Sequence, residues 1–374
     1  MHMIILGIET SCDETAAAVV VDGREELASS LATSEELHQS TGGVVPEVAA
    51  RKQLEFFVPV LEDVCIKAAP KLGLSNYTEV LNKVDAIAVT VGPGLIGSLL
   101  VGVNGAKALA FAHNKPLVPV NHLVGHIYGN FLRPLQHSDS NSSDHIAPAT
   151  YLDNFSNEEN IFPALVLIVS GGHTDLVLMK GHGSLEYLGG TVDDAAGEAF
   201  DKVARMLGLS SYLGGPLISK AAAECRHNSL LGQLPRPKIA DEDYDFSFSG
   251  LKTATKNLIN SYSSKDSPLP LNEICCEFEI AVVDVLIAKT KKAAQANNIK
   301  SILLGGGVSA NKQLRTRLLG LGQELGVFVS VPPIRLCTDN AIYIASAAYY
   351  NYRPVSADKL DLIKANPGLG IVDQ

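Results

Sequence analysis

Two stretches of the chain, half a chain apart, open in the same way, and that repetition limits the possible folds more than any other feature. In the first, Ile4 to Ile8 leads into the polar turn Glu9-Thr10-Ser11-Cys12-Asp13-Glu14-Thr15 and a second apolar run, Ala16 to Val21. In the second, Leu165 to Val169 leads into Ser170-Gly171-Gly172-His173-Thr174-Asp175 and then Leu176 to Met179. Strand, tight turn, strand, used twice, predicts two lobes of one design facing each other across a cleft. Turns of this kind expose main-chain N–H groups and small hydroxyls, the donors that hold a phosphate.

The elements that follow fit the same scheme. In the first half the pattern predicts a third strand near Leu27–Thr33 and a helix from about Pro46 to Ala69. A strand over Val84–Thr90 then reaches the turn Gly92-Pro93-Gly94, followed by a helix from Gly97 to His113. Strand Leu117–Val120 runs into a helix bearing His122 and His126. In the second half, strands are expected near 164–170, 174–180 and 185–190, with helices near 194–207, 215–224, 250–262 and 270–297. Strand Ser301–Leu304 ends in Gly305-Gly306-Gly307, with a helix from about Ser309. Strand Val327–Val331 leads to a last helix from about Thr338. Strands alternating with helices indicate an α/β architecture. Two copies of a three-strand-plus-helices unit resemble the actin-like ATPase fold of sugar kinases, heat-shock cognates and actin. The expected division is an N-terminal lobe of 1–135 with about 340–374, a polar insertion at 136–160, and a C-terminal lobe of 161–339.

At 374 residues the chain can bury two cores. Its net charge of −10 means that any nucleic-acid contact must rest on a local basic surface or on a partner. Lys291-Lys292 and Arg315/Arg317 are candidates, though such residues on a helix are usually a solvated face. The six cysteines show no paired metal spacing, which suits a reducing, cytosolic setting. No run reaches the roughly 18 apolar residues of a membrane span. The N-terminus lacks the basic start of a signal peptide, and Glu9 interrupts its apolar run. The expected location is therefore the cytoplasm, with the mitochondrial matrix open to a chain whose leader has been removed.

Several motifs carry chemistry. His122 and His126 are four apart on a helix and share one face, so both can reach one metal ion. The plainer alternative is a pair of satisfied histidines. Helical zinc peptidases place a glutamate between or beside such histidines as general base. Here those slots hold Leu123 and Gly125. Asp339 is a candidate third ligand, although an acid at a helix start is more often a first-turn residue favoured by the dipole. Two histidines and a carboxylate would leave coordination positions open, as in a catalytic Zn²⁺ or non-haem Fe²⁺ site. The paired glycines Gly171-Gly172 let a main chain approach an anion, whereas alone they would be an ordinary hairpin turn. Asp13 and Glu14 are unexpected beside a phosphate. They make sense if one acts as a base or if a cation lies between. Asp193 and Asp194 read as first-turn acids of a helix. Asp201, seven residues after Asp194, would share its face and could bind ribose or substrate hydroxyls. Gly305-Gly306-Gly307 before a helix is a possible nucleotide site.

These motifs stand together in one family. Gly7 to Thr15, Gly42-Gly43-Val44-Val45-Pro46-Glu47, Gly92-Pro93-Gly94-Leu95, His122-x-x-Gly125-His126, Ser170 to Thr174, Asp193 to Lys202, Ser247 to Thr253, Gly305 to Asn311 and Thr338-Asp339-Asn340 resemble the tRNA threonylcarbamoyltransferases, once labelled sialoglycoprotein endopeptidases. The forms of Asp194–Glu198 and Phe248–Thr253 resemble the bacterial and mitochondrial branch. The resemblance implies transfer of a threonylcarbamoyl group from threonylcarbamoyl-AMP to N6 of adenosine 37, in tRNAs reading codons that begin with A. It implies His122, His126 and Asp339 as ligands of one divalent ion, Fe²⁺ or Zn²⁺, with two imidazoles from the front lobe and the carboxylate from the rear. It implies Ile168, Val169, Ser170, Gly171, Gly172, Asp201, Gly215 and Asn311 as contacts to the adenylate-linked substrate or an ATP-like nucleotide. Asp13 and Glu14 would lie near the reacting groups. Implied partners are tRNA, a shorter inactive paralogue and a small P-loop ATPase, or a second copy of the chain, and no membrane.

Overall fold

A computed structural model describes residues 2–133, 158–210, 212–263 and 268–373. The described residues divide into two compact units, one of 2–133 with 332–373 and the other of 158–331. The polar stretch at 136–160 lies outside the described residues except for a 3₁₀ turn, Glu158–Asn160.

The first unit is built on a five-stranded sheet. Its strands are β1 (Ile4–Glu9), β2 (Glu14–Val21), β3 (Glu25–Thr33), β4 (Ala86–Gly92) and β5 (Leu117–Asn121), in the order β3-β2-β1-β4-β5. The hairpin partners β1–β2 and β2–β3 are antiparallel, while β1–β4 and β4–β5 are parallel. Short turns permit the first kind of pairing, and helical crossovers are needed for the second. Helices α1 (Glu35–Thr41), α2 (Pro46–Ala68), α3 (Tyr77–Lys83), α4 (Ile96–Ala112) and α5 (His122–Tyr128) fill the connections. Ile4, Leu6 and Ile8 pack into one cluster with Val60 and Val64 of α2 and Val103 and Ala106 of α4. Gly7, between them, faces the other way. A Cβ there would stand 2.4 Å from the Ala341 carbonyl oxygen and 2.9 Å from the Ala345 nitrogen. Successive residues of a strand face opposite sides, so helices cover both faces of β1. That burial on both sides explains why β1 and β4 read as continuous apolar runs.

The second unit repeats the topology. Strands β6 (Ala164–Val169), β7 (Thr174–Gly181), β8 (Ser184–Gly190), β9 (Ser301–Gly305) and β10 (Phe328–Ser330) lie in the order β10-β9-β6-β7-β8. This is the first sheet's order, element for element. Helices α6 (Ala196–Met206), α7 (Gly215–Ala223), α8 (Ser249–Ser263), α9 (Leu271–Ala296) and α10 (Lys312–Leu325) complete it. The last helix, α11 (Ile342–Tyr350), belongs to the first unit, where it packs on α5, β1 and β2.

Several boundaries differ from the sequence reading for local reasons. The last helix begins at Ile342 rather than near Thr338, because the Asn340 side chain accepts the Ile342 and Tyr343 N–H groups and sets the start. Asn311 does the same for α10 by accepting Leu314 N–H, and a 3₁₀ turn, Gly307–Ala310, precedes it. Asp193 and Asp194 lie before α6 and do not cap it. Asp193 accepts from the Phe248 and Ser249 N–H groups and the Ser247 hydroxyl, so it caps α8. Asp194 pairs with Lys202 and Lys252.

Candidate functional site

The candidate metal centre lies wholly within the first unit. Strand β5 ends at Asn121, whose side-chain oxygen accepts the Leu123 and Val124 N–H groups and starts α5. His122 and His126 then fall one turn apart, with ring centroids 4.7 Å from each other. Asp339 sits just before the Asn340 cap of α11, and its Oδ1 lies 3.4 Å from His122 Nε2 and 3.3 Å from His126 Nε2. It is not a first-turn residue of that helix. Nor does it come from the second lobe: residues 332–339 fold with the first unit, which therefore holds all three candidate ligands.

Gly125 makes this approach possible. A Cβ there would stand 2.7 Å from Ile344 Cδ1 and 2.8 Å from Tyr343 Cδ2, so a side chain at residue 125 would have to displace these groups of α11. A peptidase-type glutamate has no room in that slot. The other slot holds Leu123, which is buried in the core.

Sequence reasoning missed Glu9. It is wholly buried at the end of β1, where its Oε2 lies 3.0 Å from His122 Nδ1 and accepts the Thr90 hydroxyl at 2.6 Å. Its other oxygen accepts Ser11 N–H. A charged residue closing an otherwise apolar strand was the available signal, together with Thr90 near the end of the parallel neighbour β4. Tyr343 was also missed; its hydroxyl donates to Asp339 Oδ1 at 3.4 Å.

The donor set fits a divalent cation. With its Nδ1–H directed at the Glu9 carboxylate, His122 would present its Nε2 lone pair to an ion held beside Asp339. A carboxylate behind a ligating imidazole is the usual way to fix tautomer and orientation. Candidate ligand atoms of His122, His126 and Asp339 all lie within 4.8 Å of one another. In the absence of a cation the cluster holds a proton instead. Burial opposes the charging of His122, yet the Asp339 and Glu9 carboxylates hold its pKa well above the ordinary imidazole value. Burial lowers the pKa of His126, outweighing its hydrogen bond with Asp339. Burial would raise Asp339, but the two imidazoles hold it well below the carboxylate range. His126 Nδ1 is buried without a hydrogen-bond partner among the described residues. One metal ion would take the place of the shared proton.

Asp13 and Glu14 are in the same unit, at the β1–β2 turn. Burial pushes the Glu14 carboxyl well above its ordinary pKa, and the charges of Asp339, Asp13 and Glu9 add to the effect. Gln53 pins the turn: its amide nitrogen donates to the carbonyls of Cys12 and Glu14, each at 3.0 Å.

The second unit carries the candidate nucleotide-binding residues. Ser170 N–H donates to the His173 carbonyl at 2.8 Å, closing the turn between β6 and β7. A Cβ at Gly171 or Gly172 would meet nothing within 4 Å, so no contact within the protein demands glycine at either position. Ile168 and Val169 are fully buried in β6, so any contact from them would come from the main chain. Gly306 has φ +90°, and a Cβ there would stand 2.4 Å from the Val169 carbonyl oxygen. Asp201 accepts Gly214 N–H at 2.7 Å and so ties down the loop before Gly215, the first residue of α7. Asp194 is off the helix, so the two acids do not share a face. Asn311 caps α10 and bonds to Ser219 and Glu279.

Known proteins resemble this chain along nearly its whole length. A family model described as tRNA N6-adenosine threonylcarbamoyltransferase matches residues 25–139 and 141–346. The chain is 45% identical over 368 residues to the tRNA N6-adenosine threonylcarbamoyltransferase of Bacillus subtilis, covering 98% of this chain and 95% of that protein. The protein of the same name from Thermomicrobium roseum is 48% identical over 380 residues, covering 96% and 95%. Among solved structures, HypF of T. kodakarensis superposes with a TM-score of 0.55 at 13% identity, over 94% of this chain and 47% of that one, a likeness that shows the actin-like ATPase fold alone. By sequence along nearly its whole length, the chain belongs to the family of tRNA N6-adenosine threonylcarbamoyltransferases.

Proposed function

We propose that the protein transfers the threonylcarbamoyl group of threonylcarbamoyl-AMP to N6 of adenosine 37 in tRNAs that read codons beginning with A. The observation that carries this reading is the Glu9-backed His122–His126–Asp339 cluster, in which Gly125 leaves no place for a peptidase glutamate. In the reaction the N6 amine attacks the carbamoyl carbon, the bond from that carbon to the phosphate oxygen breaks, and AMP leaves as the anion. The amine proton passes to a carboxylate, Asp13 or Glu14, which are adjacent where the β1–β2 turn enters β2. His122, His126 and Asp339 would hold one Zn²⁺ or Fe²⁺, which when bound supplies Lewis-acid polarisation of a carbonyl or phosphate oxygen. Gly171 and Gly172 would receive the adenylate phosphate on main-chain N–H groups, and Ser170, whose own N–H closes the turn, would contribute its hydroxyl. Gly215 and Asn311 would contact the rest of the nucleotide, with Asp201 acting from the loop before α7.

A shorter inactive paralogue, a small P-loop ATPase and a second copy of the chain are the partners proposed. All six cysteines are free thiols, which supports a reducing compartment such as the cytoplasm or the mitochondrial matrix. Among the described residues no helix is long and apolar enough to cross a membrane. The test incubates the protein and its partners with unmodified tRNA, threonine, bicarbonate, ATP and an adenylate-forming enzyme, then digests the tRNA and weighs its nucleosides. Threonylcarbamoyladenosine should appear with the parent and be lost with His122→Ala. Peptide cleavage by the protein alone, with no modified nucleoside, would reverse the assignment.

A further inference from the structure

Three elements of the second unit meet around one carboxylate. Glu279 on α9 is only 8% exposed. Its Oε1 accepts the Ser219 hydroxyl of α7 and the Asn311 amide nitrogen, each at 2.6 Å. The same Asn311 nitrogen donates to Ser219 Oγ at 3.0 Å, which closes a triangle. The other end of the Asn311 amide is also committed, since its oxygen accepts Leu314 N–H at 2.8 Å. An amide with its oxygen held by the main chain and its nitrogen held by a carboxylate has one orientation only. No lysine or arginine pairs with Glu279 among the described residues. A buried carboxylate without a cation opposes folding, and apolar neighbours on the same helix, Phe278 and Val282, already fill the core.

We propose that Glu279 is a positioning residue that holds Asn311 and Ser219 ready for the adenylate without touching it at the reacting atoms. The proposal rests on the reading in which Asn311 contacts the nucleotide. The longest side of the triangle, between Asn311 and Ser219, can be exchanged for a ligand contact while Glu279 keeps its hold on both groups. The site is then in place before the ligand arrives, and little side-chain ordering remains to be done on binding.

The test measures AMP affinity of the full chain by calorimetry, with Asn311→Ala as the reference. Losing a charged hydrogen-bond acceptor to two groups predicts a loss of about 10- to 100-fold for Glu279→Ala. Glu279→Gln keeps the volume and one acceptor oxygen, so it should recover most of that loss, whereas Glu279→Met, which keeps the volume without an acceptor, should lose affinity like the alanine variant and serves in its place should that one fail to fold. The double variant with Asn311→Ala should bind no more weakly than Asn311→Ala alone, because both changes remove one coupled unit. If Asn311→Ala weakens AMP while Glu279→Ala, or Glu279→Met in its place, binds like the parent, the role given to Glu279 is refuted and the Asn311 contact survives. Additive losses in the double variant also refute it. If Asn311→Ala itself binds AMP normally, the underlying nucleotide reading falls, and the proposal with it.

Discussion

Replacing Glu9 by Gln should weaken metal binding at the candidate centre while leaving all three candidate ligands in place. The carboxylate serves three donors at once: Ser11 N–H on one oxygen, and the Thr90 hydroxyl and His122 Nδ1 on the other. A glutamine can accept on one side only. If its oxygen faces Ser11 N–H, its NH₂ faces His122, and the ring must then accept at Nδ1. The imidazole proton would move to Nε2, the atom 3.4 Å from Asp339, and block the lone pair meant for the ion. If the amide is reversed, its NH₂ meets Ser11 N–H donor to donor, and a buried pair of donors costs about 1–3 kcal/mol. Removing a carboxylate behind a ligating histidine typically weakens metal affinity about 10- to 100-fold, or ~1.4–2.7 kcal/mol. The assay is competition of Zn²⁺ against a chromophoric chelator, using metal-stripped protein at neutral pH. A Glu9→Gln protein that binds Zn²⁺ as tightly as the parent, while His122→Ala does not bind it, would refute the argument that Glu9 sets the tautomer.

Two further outcomes follow from the second unit. Gly171→Ala and Gly172→Ala add a methyl group to open space, so unfolding stability should stay within about 0.5 kcal/mol of the parent while AMP binding weakens. Gly306→Ala, with φ +90° and the Val169 carbonyl in the way, should lose at least about 1–3 kcal/mol in a urea titration, and equal stability for all three variants would contradict the account. Burial pushes the Asp175 carboxyl up to about 6, against the Tyr187 hydroxyl, which holds it down. The folded state therefore binds more protons than the unfolded one between the two pKa values. Stability from this residue is greatest below pH ~4 and falls by up to ~3 kcal/mol as the pH rises through about 6. Asp175→Asn should flatten that slope in urea unfolding at a series of pH values and should be the more stable protein at pH ~7.5. An unchanged slope would show that Asp175 is ionised in the fold.

The duplicated hairpins made the sheets legible, because alternation and turn chemistry act over a few residues. His122 and His126 were legible for the same reason, since their spacing is a property of one helix. Glu9 was not, because its role depends on β4 and α5 meeting the end of β1, and no local pattern records that meeting. Asp193 was misplaced for a related reason: acids before a helix are usually its own cap, but here the donors come from Phe248 and Ser249, far along the chain. The assignment of Asp339 to the first unit likewise depends on the chain returning after Val331 to pack α11 beside α5. Gly125 stands between the two cases. Its place in the motif is plain in the sequence, but the Ile344 and Tyr343 side chains that require it are visible only in three dimensions.

The return of the chain to its first unit also sets an order of events during synthesis. His122 and His126 leave the ribosome more than two hundred residues before Asp339. Until then the nascent protein has two imidazoles and no third donor, so an ion would meet the full candidate set only after Asp339 has emerged and the chain has returned to its first unit.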